Sequence, residues 1–66
     1  MKVIMNGEQR TVPENINIEK LLEHLELAGQ QVAIELNNNV VRRKDWPETA
    51  IAESDKIEIV HFVGGG

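Results

Sequence analysis

Lys56-Ile57-Glu58-Ile59-Val60-His61-Phe62-Val63-Gly64-Gly65-Gly66 joins two unlike parts, a run of apolar character and three glycines. From Lys56 to Val63 the β-branched and aromatic residues predict an extended strand. Ile57 and Ile59 fall on one side of it with His61, while Glu58, Val60 and Phe62 fall on the other. Three glycines in a row cannot pack and lose the most entropy when ordered, so Gly64, Gly65 and Gly66 are expected to form a flexible tail. Lacking Cβ atoms, such a tail is able to thread a narrow channel and bring a terminal carboxylate to another protein's active site. A carboxylate of that kind is activated by attack on the α-phosphate of ATP, which makes an acyl-adenylate. The glycines are not themselves a phosphate cradle, because a cradle precedes a helix N-terminus. Alone, they fit a disordered end or a linker better. Their position directly after a hydrophobic strand gives them weight.

Working back from this strand, Val32, Ile34 and Leu36 alternate with Ala33 and Glu35, the pattern of a half-buried strand. Asn37-Asn38-Asn39 predicts a turn, since asparagine tolerates the left-handed backbone. Val40-Val41 predicts a short strand. Arg42 to Trp46 is expected to make a brief helical turn stopped by Pro47, with Trp46 anchoring the loop on the core. A further turn at Glu53-Ser54-Asp55 leads into the last strand. Earlier in the chain, Ile18, Leu21, Leu22 and Leu25 recur at helical spacing and form one apolar stripe. Asn17 suits the N-cap, Glu19 complements the dipole, and Ile16 with Leu21 occupies the positions of a hydrophobic staple. Leu27 lies off the stripe, so the helix is expected to finish near Leu25 or Glu26, with Leu27 folding back. At the start, Lys2-Val3-Ile4-Met5 predicts a strand with Val3 and Met5 on one face and Ile4 on the other. Asn6-Gly7 predicts a hairpin turn, with Glu8 to Val12 returning antiparallel until Pro13 ends the pairing. The order strand, strand, helix, strand, short strand, strand predicts an α+β roll: a mixed sheet of four to five strands with one main helix on one face.

A chain of 66 residues holds one domain with a thin core, leaving little depth for a substrate pocket. Residues 1–63 are expected to form that domain and 64–66 its tail. Cysteine is absent, so neither disulfides nor thiolate metal sites supplement the core. The net charge of -4 argues against nucleic acid, whose binding draws on neutralised phosphates. Only Arg42, Arg43 and Lys44 cluster, and a solvated turn is preferred there over a docking contact for an acidic partner. His24 and His61 lack the companions that a zinc site or a general base requires, so neither metal nor catalysis is expected. No basic-then-apolar leader and no bilayer-length apolar run is present, which predicts a cytoplasmic protein without membrane contact.

Several of these pieces, in their order and spacing, resemble the sulfur carriers of the thiamine pathway, the ThiS family. They are Leu21-Leu22-Glu23 with Leu25 and Leu27, Val32-Ala33-Ile34-Glu35-Leu36-Asn37, Val40-Val41, Arg43, Trp46, and Ser54-Asp55-Lys56-Ile57-Glu58-Ile59-Val60. The ending His61-Phe62-Val63-Gly64-Gly65-Gly66 is the most specific match. The chain departs from the family at Arg42, commonly proline, and at Glu26 and Asn38, commonly glycine. The resemblance implies a ubiquitin-like β-grasp fold and a protein co-substrate that performs no catalysis. It implies that an E1-like adenylyltransferase, using ATP and Mg, adenylates Gly66. A sulfur donor such as a cysteine desulfurase then supplies the sulfur of a thiocarboxylate, which thiazole synthase consumes. Gly64 and Gly65 would supply reach, and no cofactor would be bound by the chain itself. Val60, Phe62 and Val63, extended by Ile4, are the candidate partner surface on a domain expected to be monomeric alone. Two alternatives remain open at this point: the small subunit of molybdopterin synthase, and a non-conjugating ubiquitin-like interaction module.

Overall fold

The computed structural model describes residues 1–62. The expectations for Val63 as the end of the last strand, and for Gly64 to Gly66 as a tail, lie outside the described residues. Five strands and one α-helix follow in the order β1 (Lys2–Met5), β2 (Glu8–Thr11), α1 (Ile18–His24), β3 (Val32–Leu36), β4 (Asn39–Val41) and β5 (Lys56–His61). They form one mixed sheet ordered β2-β1-β5-β3-β4, in which β1 and β5 run parallel and the other pairs antiparallel. The last strand therefore sits at the centre, flanked by the first and the third.

Local chemistry explains each boundary. Asn6 and Gly7 both take positive φ, 50° and 82°, as the tight β1–β2 turn requires. Asn37 and Asn38 do the same between β3 and β4, at 52° and 73°. The Asn17 side chain accepts from the Lys20 amide at 2.7 Å and caps α1. At the other end, the Leu27 amide donates to Leu22 O at 2.8 Å and the Glu26 amide to Glu23 O at 3.0 Å, with Glu26 at φ 61°. This bonding pattern is a Schellman closure, and it folds Leu27 back against the core.

Val3, Met5, Ile34, Ile57 and Ile59 face α1, whose Ile18, Leu21 and Leu22 are buried against them. Val12, Trp46 and Ile51 close the margins of that core. Relative to the sequence reading, β2 ends one residue earlier at Thr11, α1 ends at His24 and β4 begins at Asn39, and two differences are larger. The helical turn is a 3-10 helix over Arg43–Glu48 that contains Pro47 rather than stopping at it. Proline's fixed φ suits 3-10 geometry, and the turn still closes through Asp45 and Thr49 amides bonded to Arg42 O and Trp46 O. The last strand ends at His61, although the Phe62 amide still donates to Gln31 O at 3.0 Å. Ile51, which no sequence pattern singles out, enters the core because residues 49–51 are tied to 16–18. Thr49 O accepts from the Ile18 amide and Ile16 O from the Ile51 amide, both at 3.0 Å.

Candidate functional site

One face of the sheet is covered by α1 and the other is open. The register decides which side chains the open face presents. Ile4 lies level with Lys56 across the parallel pair, so Glu58 and Val60 share its side. Val60 is opposite Ala33, and Glu35 is opposite Val40. Val60 is 56% exposed and Phe62 60%, which makes an apolar strip at the end of β5; Val40, 70% exposed, is two strands away on β4, level with Glu58. Phe62 is thus an exposed side chain and no part of the core. Ile4, 37% exposed, shares the face but is not adjacent to this strip. Its neighbour Lys56 precedes Val60 by four residues, about 13 Å along a strand at roughly 3.3 Å per residue. Val63, Gly64, Gly65 and Gly66, the other expected site residues, lie outside the described residues.

Beside the strip runs a shallow groove of about 520 Å³, lined by Gln31, Ala33, Val40, Arg42, Arg43 and Phe62 among others. Its wall is held by Trp46, whose indole N–H donates to Val41 O at 2.9 Å. The Arg43 guanidinium stacks 5.0 Å over the Trp46 ring and donates to Gln30 O at 3.2 Å. Arg43, although exposed, is therefore tied to the scaffold; Arg42, also exposed, lines the groove, and Lys44 is exposed outside it. Ala33 belongs to the strip, and Val40 lines the groove. The β3–β5 register sets Ala33 beside Val60, and the hairpin register around Asn37-Asn38 sets Val40 beside Glu35, in the row of Glu58.

His24 is exposed on α1, and His61 is exposed with Nε2 3.1 Å from Gln30 Oε1. Among the described residues no group of three or more His, Cys, Asp or Glu side chains is placed to hold a metal ion. No helix among them is long and apolar enough to cross a membrane.

A five-stranded mixed sheet grasping one helix, with its central last strand running out beside an apolar strip, defines a ubiquitin-like β-grasp domain. A crystal structure of the thiamine biosynthesis protein ThiS from Geobacter metallireducens superposes with a TM-score of 0.87 at 35% identity, each chain covering the other completely. The sulfur carrier protein ThiS of Bacillus subtilis is 39% identical over 49 residues, 74% of each chain. The thiazole synthase of Paramagnetospirillum magneticum is 38% identical over all 66 residues, and the chain spans 20% of that relative's length. The chain belongs to the ThiS family, whose model matches residues 3–66.

Proposed function

We propose that the chain is a sulfur carrier for thiazole formation in thiamine biosynthesis. The observation that carries this reading is the family match, which continues without a break from the folded body through Gly64, Gly65 and Gly66. In the proposed cycle the Gly66 carboxylate attacks the α-phosphorus of ATP on an E1-like adenylyltransferase, which holds the nucleotide and Mg. Pyrophosphate leaves and an acyl-adenylate remains. The outer sulfur of a persulfide on a donor such as a cysteine desulfurase then attacks the acyl carbon and AMP leaves. A thiol next attacks the donor-side sulfur of the resulting acyl disulfide, forms a disulfide with the donor and so supplies the two electrons that release the thiocarboxylate. Thiazole synthase takes up that sulfur and returns the carboxylate for recharging.

In this scheme the chain's own residues dock and deliver. Val60 and Phe62, with Val63 beyond them, form the apolar contact with each partner, and Gly64 and Gly65 pass through a channel too narrow for a Cβ. The chain is a co-substrate and not an enzyme, works in the cytoplasm, and binds no cofactor. The thiazole synthase relative, which includes a stretch similar to this chain, supports thiazole synthase as one partner.

ATP–pyrophosphate exchange tests the first step. With the activating enzyme present, exchange should depend on the intact chain and vanish for one truncated after Val63. Exchange that survives removal of the three glycines would favour a plain interaction module.

A further inference from the structure

Asn6 does more than turn a hairpin. Its backbone amide donates to Ile57 O at 2.9 Å, which continues the parallel β1–β5 pairing by one bond. Its side chain then takes over where β1 ends. Oδ1 accepts from the Ile59 amide at 2.7 Å, and Nδ2 donates to Ile59 O at 3.2 Å. The carboxamide thereby imitates a further residue of strand, with one donor and one acceptor in the order a peptide group presents them. Ile59 immediately precedes Val60 in the strand that leads to the glycines.

The residue after Asn6 is Gly7, and none of the other asparagines, at 15, 17, 37, 38 and 39, is followed by glycine. Glycine leaves its amide nitrogen unhindered, and that nitrogen is the nucleophile of asparagine deamidation. We infer that Asn6 is a latent modification site, protected by its two bonds to Ile59, whose conversion detaches the end of β5 from β1. In the reaction the deprotonated Gly7 nitrogen bonds to Cγ of Asn6. The Cγ–Nδ2 bond breaks, nitrogen leaves as ammonia, and a succinimide forms. Water opens the ring to an aspartyl or an isoaspartyl residue, with no redox change and no other reactant.

While both bonds hold the carboxamide on Ile59, Cγ is not free to turn to the Gly7 nitrogen, so those bonds must break before the ring closes. Either product breaks the imitation. A carboxylate keeps an acceptor for the Ile59 amide but has no donor for Ile59 O, and it sets negative charge against that carbonyl. The isoaspartyl form also lengthens the backbone inside a two-residue turn, where register is fixed by loop length. Deamidation therefore works as a one-way count of openings of this β1–β5 contact that ends in a loosened β5. The inference stands apart from the sulfur-carrier reading, because it uses only the β1–β5 contact.

The test follows the full chain by peptide mapping in native buffer and in denaturant at the same mildly alkaline pH, separating aspartyl from isoaspartyl products. In denaturant, conversion should concentrate at Asn6; in the folded protein it should be slower by at least about tenfold, since opening precedes reaction. Equal rates in the two conditions, or earlier conversion at Asn37 to Asn39, would overturn the inference. Hydrogen exchange on Asn6→Asp supplies a second reading. The Ile59 amide should exchange about tenfold faster than in the unsubstituted protein, reporting local opening, with Ile34 protection retained. Unchanged Ile59 protection would show that the carboxamide bonds do not secure β5. A variant that fails to fold leaves the comparison of folded and denatured protein to decide.

Discussion

Replacing Phe62 with aspartate separates the two faces of the sheet. The side chain is 60% exposed, so two fifths of it is covered. A fully enclosed phenylalanine buries roughly 200 Å², which makes the covered part about 80 Å² and its loss about 2 kcal/mol as an upper bound. Aspartate keeps its own Cβ in place, so Phe62→Asp is expected to cost the fold about 1 kcal/mol. Partner binding should suffer more. An aromatic anchor at an interface centre contributes about 2 kcal/mol or more, roughly a 30-fold weakening of Kd. Urea denaturation measures the first quantity, and titration against the activating enzyme or thiazole synthase the second. If the unfolding midpoint drops as far as for a core truncation, or Kd is unmoved, the strip is not the docking surface.

The comparison variant is Leu22→Ala. Leu22 is 2% exposed between α1 and the sheet, and its truncation should cost about 2–5 kcal/mol in the same denaturation assay. Glu26→Gly should instead stabilise by about 0.5–1 kcal/mol, because φ of 61° strains a residue with a Cβ; a lowered midpoint would mean that the Glu26 side chain contributes contacts of its own. Alone, the chain should scatter light as a monomer at low micromolar concentration, since the exposed strip is narrow. A stable dimer that buries Val60 and Phe62 would contradict this.

What the sequence revealed follows how local each determinant is. The parity of Ile57 against Val60, the stripe Ile18-Leu21-Leu22 and the cap at Asn17 are set by neighbours a few residues away, and the structure repeats them. The departures at Glu26 and Asn38 were legible as turn positions, and both residues take positive φ. What escaped depends on distant pairing. Ile51 is buried only because residues 49–51 return to the start of α1, and Ala33 meets Val60 only through the β3–β5 register. Ile4 has the expected outward parity, yet the parallel register sets it beside Lys56 and away from Phe62. Pro47 sits inside a 3-10 helix because the tighter turn tolerates what an α-helix would not.

The most direct test of the account is where sulfur appears. The chain and a variant carrying one additional alanine after Gly66 are each incubated with ATP, activating enzyme and a sulfur source, and then weighed and mapped by mass spectrometry. The alanine moves the carboxylate past the adenylating centre and puts a Cβ in the channel, while leaving the core of Leu21, Leu22, Ile34 and Ile57 untouched. The unextended chain should gain the mass of sulfur replacing oxygen, localised to the C-terminal peptide. The extended chain should stay unmodified and keep its melting temperature. Equal charging of both, or sulfur mapped to any residue other than Gly66, would contradict the account.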